Sequence, residues 1–291
     1  MTHNIVAAQR AAALLDAHPD YRVLRALPPV NQLVLPEPEG KTFTAIILDT
    51  ETTSLDPATG RIIELALCPV RFDQRGRIVG IGAIEDWLED TGEPLSADIR
   101  KLTGLTDEDL ADQRIDDNAV LGHLTTAQLI VAHNARFDLG WIEARFPSAG
   151  PLRWACSMSE IDWVGHGYEA RKLGGLLADA AGYFNRRHRA DNDVAALVAL
   201  LTTALPPGYT AFAEMLFTAA KPTARIIAER APYAARARLK QRSYRWDDRR
   251  KAWWREVPED ERDAELAWLR AEVGGTAPIA TTITWFERHR A

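Results

Sequence analysis

The segment Thr44-Ala-Ile-Ile-Leu48 is a continuous apolar run, rich in β-branched residues, that gives way at once to Asp49-Thr-Glu51. Such a run, with no polar alternation, reads as a strand covered on both faces. It therefore demands a sheet with layers of structure on each side. Side chains two apart on a strand share a face, so Asp49 and Glu51 emerge together from the end of a buried strand. Two more strand-like runs follow, residues 61–72 and 77–84, joined by the hairpin signal Gln74-Arg75-Gly76. Three strands so close in sequence suggest an antiparallel meander. The period then changes. Residues 129–132 read as a short strand and 135–146 as a helix; Leu173, Leu176, Leu177 and Ala180 recur at helical spacing, and 194–201 read as another helix. A meander followed by α/β alternation predicts an α/β fold, with a mixed sheet flanked by helices.

The rest of the chain divides around that body, which spans residues 41–205. Residues 1–40 carry an Ala/Leu-rich helix over 3–17 and a Pro-rich connector. Pro206-Pro207-Gly208 is a break, 206–235 are expected to form a helical linker, and 236–291 a small basic, Trp-rich α+β module. Within that module Tyr244-Arg-Trp246 and 251–257 read as a hairpin, a charged helix runs from Pro258 through Val273, and 281–286 read as a strand. The 291 residues are 46% hydrophobic and 26% charged, ordinary globular values that exclude wholesale disorder. Two cysteines, Cys68 and Cys156, are too few for a disulfide scaffold and suit a reducing cytoplasm. No apolar run approaches the ~20 residues of a membrane span, and Arg10 and Asp16 interrupt the Ala-rich N-terminal stretch, so neither a span nor a signal peptide is expected. Trp154, Cys156 and Trp163 are expected in the core.

Further carboxylates stand at positions where elements begin. Asp138 lies four residues after Asn134, where a short strand has ended and a helix starts. His188 and Asp193 are five apart, and they converge only with His188 on a loop and Asp193 in the first helical turn. Carboxylates brought together are costly unless cations neutralise them. Hard divalent ions prefer carboxylate oxygen, and Mg²⁺ also accepts water and substrate phosphate in its shell. Four carboxylates can balance two such ions, which about 3.5–4 Å apart can clamp both the attacking and the leaving oxygen of a phosphoryl displacement. A neutral imidazole nearby can take a proton from the attacking water. Solvated surface acids are the alternative for any one of these residues; the spaced set, beginning at the end of a buried strand, favours convergence.

Five segments, in order, carry a family resemblance. Ile47-Leu-Asp-Thr-Glu-Thr-Thr-Ser-Leu55 resembles the first motif of the DnaQ-like, DEDDh-type 3′–5′ exonucleases, a group that includes bacterial DNA polymerase III epsilon-like proofreading enzymes. Ile62-Ile-Glu-Leu-Ala66 resembles the family's second strand, and Leu102-Thr-Gly-Leu-Thr106 its Thr-Gly-Ile-Thr turn. Val131-Ala-His-Asn-Ala-Arg-Phe-Asp138 and His188-Arg-Ala-Asp-Asn-Asp193 resemble the second and third exonuclease motifs. The resemblance implies an RNase H-like fold with a five-stranded mixed sheet. It implies Asp49, Glu51, Asp138 and Asp193 as ligands of two Mg²⁺ or Mn²⁺ ions, and His188 as general base. It places Thr50, Thr52, Thr53 and Leu55, with His133, Asn134 and Phe137, around the 3′-terminal nucleotide. The expected substrate is a single-stranded or frayed DNA 3′ end; the same chemistry on RNA, or a non-catalytic nucleic-acid-binding or polymerase-associated protein on the same scaffold, are the alternatives. Ser54 stands where the family usually has Gly, which would strain the loop if the position required a positive φ. Glu64, on the second strand, is open to two readings: support of a metal ligand, or a structural hydrogen bond.

The net charge of −6 argues against a polyanionic partner only as an average. Residues 221–255 hold 12 Lys/Arg against 3 Asp/Glu, so the remainder carries −15. Five of the nine tryptophans lie beyond residue 243. Basic and aromatic residues interleave there, a composition that suits single-stranded nucleic acid. Arg242, Arg245, Trp246, Arg249, Arg250, Lys251 and Trp253 are the candidate handle, with a Trp core and a solvated Arg face as the other reading. Gln32-Leu-Val-Leu-Pro36 faintly resembles the peptide by which replication proteins dock on the sliding clamp, but lacks its aromatic residue; a packed linker is the favoured reading.

Overall fold

The computed structural model describes residues 5–185, 188–206 and 208–290. It contains two compact units, Met1–Leu216 and Phe217–Ala291.

The first unit opens with α1 (Ile5–Asp16) and the short strand β1 (Arg25–Ala26). Strands β2 (Thr42–Thr52) and β3 (Ile62–Asp73) then pair antiparallel along their length, with Asp49 opposite Ala66 and Glu51 opposite Glu64. The apolar run holds as expected: Ala45, Ile46, Ile47 and Leu48 are at most 1% exposed, and a fully buried Ile or Leu contributes about 1.5–3 kcal/mol. After a turn at Gly76, β4 (Ile78–Ile81) and β5 (Glu85–Leu88) both pair with β3 on the side away from β2. Helices α2 (Ala97–Thr103) and α3 (Asp107–Leu110) bracket the Thr-Gly-Leu-Thr segment. Gly104 closes α2 at φ 74°, a conformation that favours glycine, and Thr106 opens α3 with a reciprocal capping box to Asp109.

Helix α4 (Asp117–Thr126) leads into β6 (Leu129–Ala132), parallel to β2; α5 (Ala135–Arg145) leads into β7 (Trp154–Cys156), parallel to β6. Helix α6 (Leu173–Leu176) runs on into a π-helical turn over Leu177–Ala181, and β8 (Tyr183–Phe184) pairs with β1. Helix α7 (Ala190–Thr202) packs on β2 and β3. A small hairpin, β9 (Ala204–Leu205) and β10 (Tyr209–Thr210), precedes α8 (Ala211–Ala220), within which the division between units falls. The main sheet has the order β4-β3-β2-β6-β7, with β5 also on β3. This is the expected mixed α/β, RNase H-like architecture, five positions wide, with one position shared by two short strands. Trp154, Cys156 and Trp163 are at most 3% exposed and lie in the core.

The second unit contains β11 (Thr223–Glu229), α9 (Arg236–Gln241), β12 (Arg245–Asp247), β13 (Ala252–Pro258), α10 (Arg262–Glu272) and β14 (Ala277–Ile283), with sheet order β12-β13-β11-β14. Ile226, Leu239, Tyr244, Trp253 and Leu269 build its core. The expected hairpin and charged helix are present. The expected helical linker over 206–235 holds only for α8, Ala211–Ala220; β11, Thr223–Glu229, is instead an interior strand of this sheet. Pairing with β13 and β14 satisfies its backbone on both edges and buries Ile226 and Ile227, which overrides the local helical propensity of the Ala and Arg around them. The last strand also falls earlier than expected, at Ala277–Ile283 rather than 281–286. Among the described residues no helix is long and apolar enough to cross a membrane.

Candidate active site

Strand β2 carries Asp49 and Glu51 on one face near its end. Its register with β3 shifts between Glu51 and Thr52, an irregularity that re-aims the side chains beyond it. Asp138 sits in the first turn of α5; Asn134, the residue just before the helix, adopts φ 77°, a left-handed conformation that Asn tolerates. Asp138 is 2% exposed, and its Oδ1 accepts hydrogen bonds from the Thr50 amide at 3.1 Å and the Thr50 hydroxyl at 2.9 Å. The Thr50 side chain thus spends its one donor on the helix carboxylate.

Asp193 lies in the first turn of α7, as the spacing requires. Its Oδ2 accepts from the His188 backbone amide at 3.0 Å, and its Oδ1 from Asn185 Nδ2 at 3.0 Å. His188 is exposed on the preceding loop at φ 64°. That conformation costs a non-glycine residue about 1–2 kcal/mol, and the amide bond to Asp193 helps to hold it. Ligand atoms of Glu51, His188 and Asp193 lie within 4.8 Å of one another. The neighbouring Arg186 and Arg187 lie outside the described residues.

The electrostatics of this cluster are unfavourable by themselves. Burial, then the charges of Asp138, Asp193, Glu51 and Glu64, hold the Asp49 carboxyl well above the usual range. Glu51 is pushed up to about 8 by burial and then by Asp193, Glu64 and Asp138, with Arg189 opposing. Burial raises Asp138 to about 7 against the Thr50 hydrogen bonds. Among the described residues no lysine or arginine forms an ion pair with Asp49, Glu51 or Asp138. Carboxylates that repel one another in this way are relieved by a cation, and oxygen donors suit Mg²⁺ or Mn²⁺. The residues present therefore fit a divalent metal.

Glu64, across the sheet from Glu51, is fully buried and accepts a hydrogen bond from Arg189 Nε at 2.9 Å. Burial raises its carboxyl, while the Ala190 amide and Arg189 pull it back. Asp86, on β5, is pushed up to about 7 by burial and then by Glu64 and Asp191. Arg189 follows His188 directly and precedes α7, so its ion pair fastens that loop to β3. Sequence reasoning singled out Glu64 and missed Arg189. The available signal was an arginine inside the H-x₄-D motif.

The remaining candidates around a nucleotide are varied. Thr52 is buried and donates to the Ser54 carbonyl at 2.7 Å, and the Thr53 hydroxyl accepts from the Arg61 amide at 2.9 Å. Leu55 is 87% exposed, Asn134 is exposed, and Phe137 packs at 6.2 Å from Trp141. His133 bridges Ser157 Oγ at 2.8 Å and the Arg171 carbonyl at 2.9 Å. A carbonyl can only accept, so Nε2 carries the proton and Nδ1 accepts from Ser157; burial lowers the His133 pKa and favours this neutral ring. Ser54 is not among the residues with positive φ, so the strain expected there does not arise.

The C-terminal candidates lie in the second unit. Arg242 Nε donates to both oxygens of Glu265, at 2.9 and 3.0 Å, and its guanidinium lies 4.4 Å from the Trp268 ring centre. Lys251 pairs with Asp248 at 2.8 Å. Arg245, Arg249 and Arg250 are exposed, Trp246 is half-exposed, and Trp253 is buried.

A family-wide sequence profile of the RNase_T exonucleases matches residues 46–201. That is more than half of the chain, and the chain belongs to this exonuclease family, the DnaQ-like group that its motifs resemble. PolC-type DNA polymerase III of Bacillus cereus is 36% identical over 116 residues, covering 37% of this chain and 7% of the polymerase. The Bacillus subtilis PolC-type enzyme is 34% identical over 108 residues, covering 35% and 7%. The chain thus spans about 7% of the length of these relatives. Among solved structures, exonuclease X in complex with 5′-overhanging duplex DNA aligns with a TM-score of 0.42 and 24% identity, over 60% of this chain and 99% of that one. Exonuclease I of E. coli in complex with a dA16 oligonucleotide aligns with a TM-score of 0.47 and 17% identity, over 63% and 48%.

Proposed function

We propose that this chain is a metal-dependent 3′–5′ exonuclease of the DEDDh type, releasing nucleoside 5′-monophosphates from single-stranded or frayed DNA 3′ ends. The observation that carries this reading is the cluster of Asp49, Glu51, Asp138 and Asp193 with the exposed His188 beside it. Family membership supports phosphodiester hydrolysis, and the polymerase relatives favour DNA as the polymer.

The four carboxylates would hold two divalent ions, Mg²⁺ or Mn²⁺, which when bound neutralise the acids and stabilise charge on the reacting phosphate. His188 takes the proton of the attacking water on an imidazole nitrogen, and its exposure lets that proton pass on to solvent. The bond from its amide to Asp193 keeps this base in register with the acids. Thr50 orients Asp138. Thr52, Thr53, Leu55, His133, Asn134 and Phe137 receive the terminal nucleotide, with the exposed Leu55 offering apolar contact to the base. In-line attack on the terminal phosphodiester breaks the bond to the 3′ oxygen of the penultimate nucleotide, which takes up a proton as it leaves. The phosphate departs on the 5′ side of the released nucleoside.

The test is an oligomer labelled at either end, as DNA and as RNA, with Mg²⁺, Mn²⁺ or EDTA. Loss of label from the DNA 3′ end, blocked by EDTA, is expected. Faster loss from RNA would transfer the same chemistry to that polymer, and no cleavage of either would overturn the enzymatic reading.

A further inference from the structure

The second unit contains a cleft of about 510 Å³ lined by Ala231, Tyr233, Arg236, Lys240, Trp246 and Trp253. Trp246 and Trp253 are cross-strand partners on β12 and β13, so their indoles share a face, with ring centres 5.5 Å apart and planes at 64°. Trp253 is the buried floor. Trp246 lies on the edge strand and remains 47% exposed, and Tyr233, just before α9, is 82% exposed. Leaving two large aromatic faces in water is unfavourable unless something covers them.

The charges around the cleft indicate what covers it. Arg236 and Lys240 are four apart on α9 and so share its face. The Arg236 guanidinium lies 5.9 Å from the Tyr233 ring centre and donates to its hydroxyl at 3.2 Å. Elsewhere in the unit Arg225, Arg238, Arg242, Lys251, Arg255 and Arg262 are each paired with an acid. Arg236 and Lys240 form no ion pair among the described residues, in a unit holding 16 Lys/Arg against 11 Asp/Glu.

We propose that this cleft binds single-stranded DNA, with a base stacked on Tyr233 and Trp246 and the adjoining phosphates on Arg236 and Lys240. Flat aromatic faces next to cations without acid partners match a chain whose bases present π-faces and whose backbone is anionic. An uncharged apolar peptide would cover the rings and leave both cations unanswered. This is a nucleic-acid contact additional to the acid cluster, and the choice of DNA rests on the function proposed above. The cleft keeps Trp246 and Trp253 of the expected handle and adds Tyr233, Arg236 and Lys240, while Arg242 and Lys251 are engaged by acids.

Fluorescence anisotropy of a labelled oligothymidylate, titrated with the full chain in EDTA, measures binding without turnover. Tyr233→Ala is expected to weaken binding roughly 5- to 150-fold. Arg236→Gln with Lys240→Gln should lower the slope of log affinity against log salt by about 0.7 per cation removed. Trp246→Phe keeps a stacking ring and should retain affinity while losing the indole quenching that accompanies binding. Unchanged affinity in Tyr233→Ala together with an unchanged salt slope in the double variant would overturn the proposal. Tighter binding of an RNA oligomer of equal length would overturn the choice of DNA. If the cleft variants bind normally while the end-labelled assay still shows 3′ loss, this inference fails and the exonuclease reading stands; weakened binding without any cleavage would leave the opposite result.

Discussion

Glu265 and Glu51 are both carboxylates drawn into the folded chain, one in each unit, and their surroundings are opposite in sign. Glu265 is 3% exposed on α10 and accepts hydrogen bonds from Arg242 at 2.9 and 3.0 Å, from Arg255 at 3.1 Å and from the Tyr244 hydroxyl at 3.0 Å. Two guanidinium groups and a phenol meet one anion, and the unit's fold closes around them. Glu51 faces Asp193, Glu64 and Asp138, with Arg189 as the opposing charge. A charge taken out of water costs several kcal/mol unless partners answer it. Glu265 is answered by the chain itself, whereas the acids at the end of β2 are held together against their own repulsion, an arrangement that fits the divalent ions proposed above.

The largest effect that could break this contrast is on turnover. Asp49→Ala should abolish hydrolysis, and His188→Ala should slow it about 10²- to 10⁴-fold, with the circular dichroism spectrum of each variant unchanged. Near-normal rates in either would remove the site from β2 and α7. Next is stability. Glu265→Ala leaves two partly exposed arginines and the Tyr244 hydroxyl without their acceptor and should cost about 1–3 kcal/mol in urea unfolding. Asp49→Asn, measured in EDTA near neutral pH, should instead stabilise the protein, because it removes a group that on folding must either take up a proton or stand charged among other acids. Equal signs in the two experiments would erase the distinction.

A smaller effect is expected at Glu64 and Arg189. Glu64→Gln or Arg189→Met should lower kcat about 10- to 100-fold with KM little changed, the usual scale for a group that supports a site without entering it. Arg189→Lys should restore part of the rate, since it keeps the charge and loses the fork geometry. A change in melting temperature alone, with kcat intact, would assign the pair to folding only.

The pH dependence is the most delicate distinction. Glu51 is raised from an ordinary value of 4.5 to about 8 in the folded chain. Below about pH 4.5 both the folded and unfolded states hold the proton, and folding is indifferent to it. Between about 4.5 and 8 the unfolded chain releases a proton that the folded chain keeps, so stability falls as pH rises. The melting temperature in EDTA should therefore decline across that window and flatten under excess Mg²⁺. A metal-free protein that grows more stable from pH 5 to 8 would contradict the repulsion described for the cluster.

Much of the first unit was legible because its signals are local. The Thr44–Leu48 run reports burial on both faces, the i, i+2 spacing reports a shared face, and the position of Asp193 depends only on a helix start. The Glu64–Arg189 pair was legible in halves, since its two residues are 125 apart in sequence and meet only through the register of β3. The bond from the Thr50 hydroxyl to Asp138 is not legible in the sequence, since the two residues are 88 apart and meet only through the packing of α5 beside β2. Strands β5 and β7 are four and three residues long, too short to show a period. Strand β11 was read as helical because its Ala and Arg residues are good helix formers, and only pairing with distant partners decides otherwise.

The register shift after Glu51 divides this segment into parts with different tolerance to insertion and deletion. Upstream of it the strand has a strict parity: inserting a single residue between Asp49 and Glu51 would turn one carboxylate to the opposite face of the sheet, and a later correction in the loop could not turn it back. Downstream, where Thr53 to Leu55 leave the ladder, length can vary without reversing any side chain. A lineage altering the loop would therefore find its freedom in the residues after the shift, while the pairing of the two carboxylates on one face depends on a two-residue step that can be substituted at its centre but not lengthened.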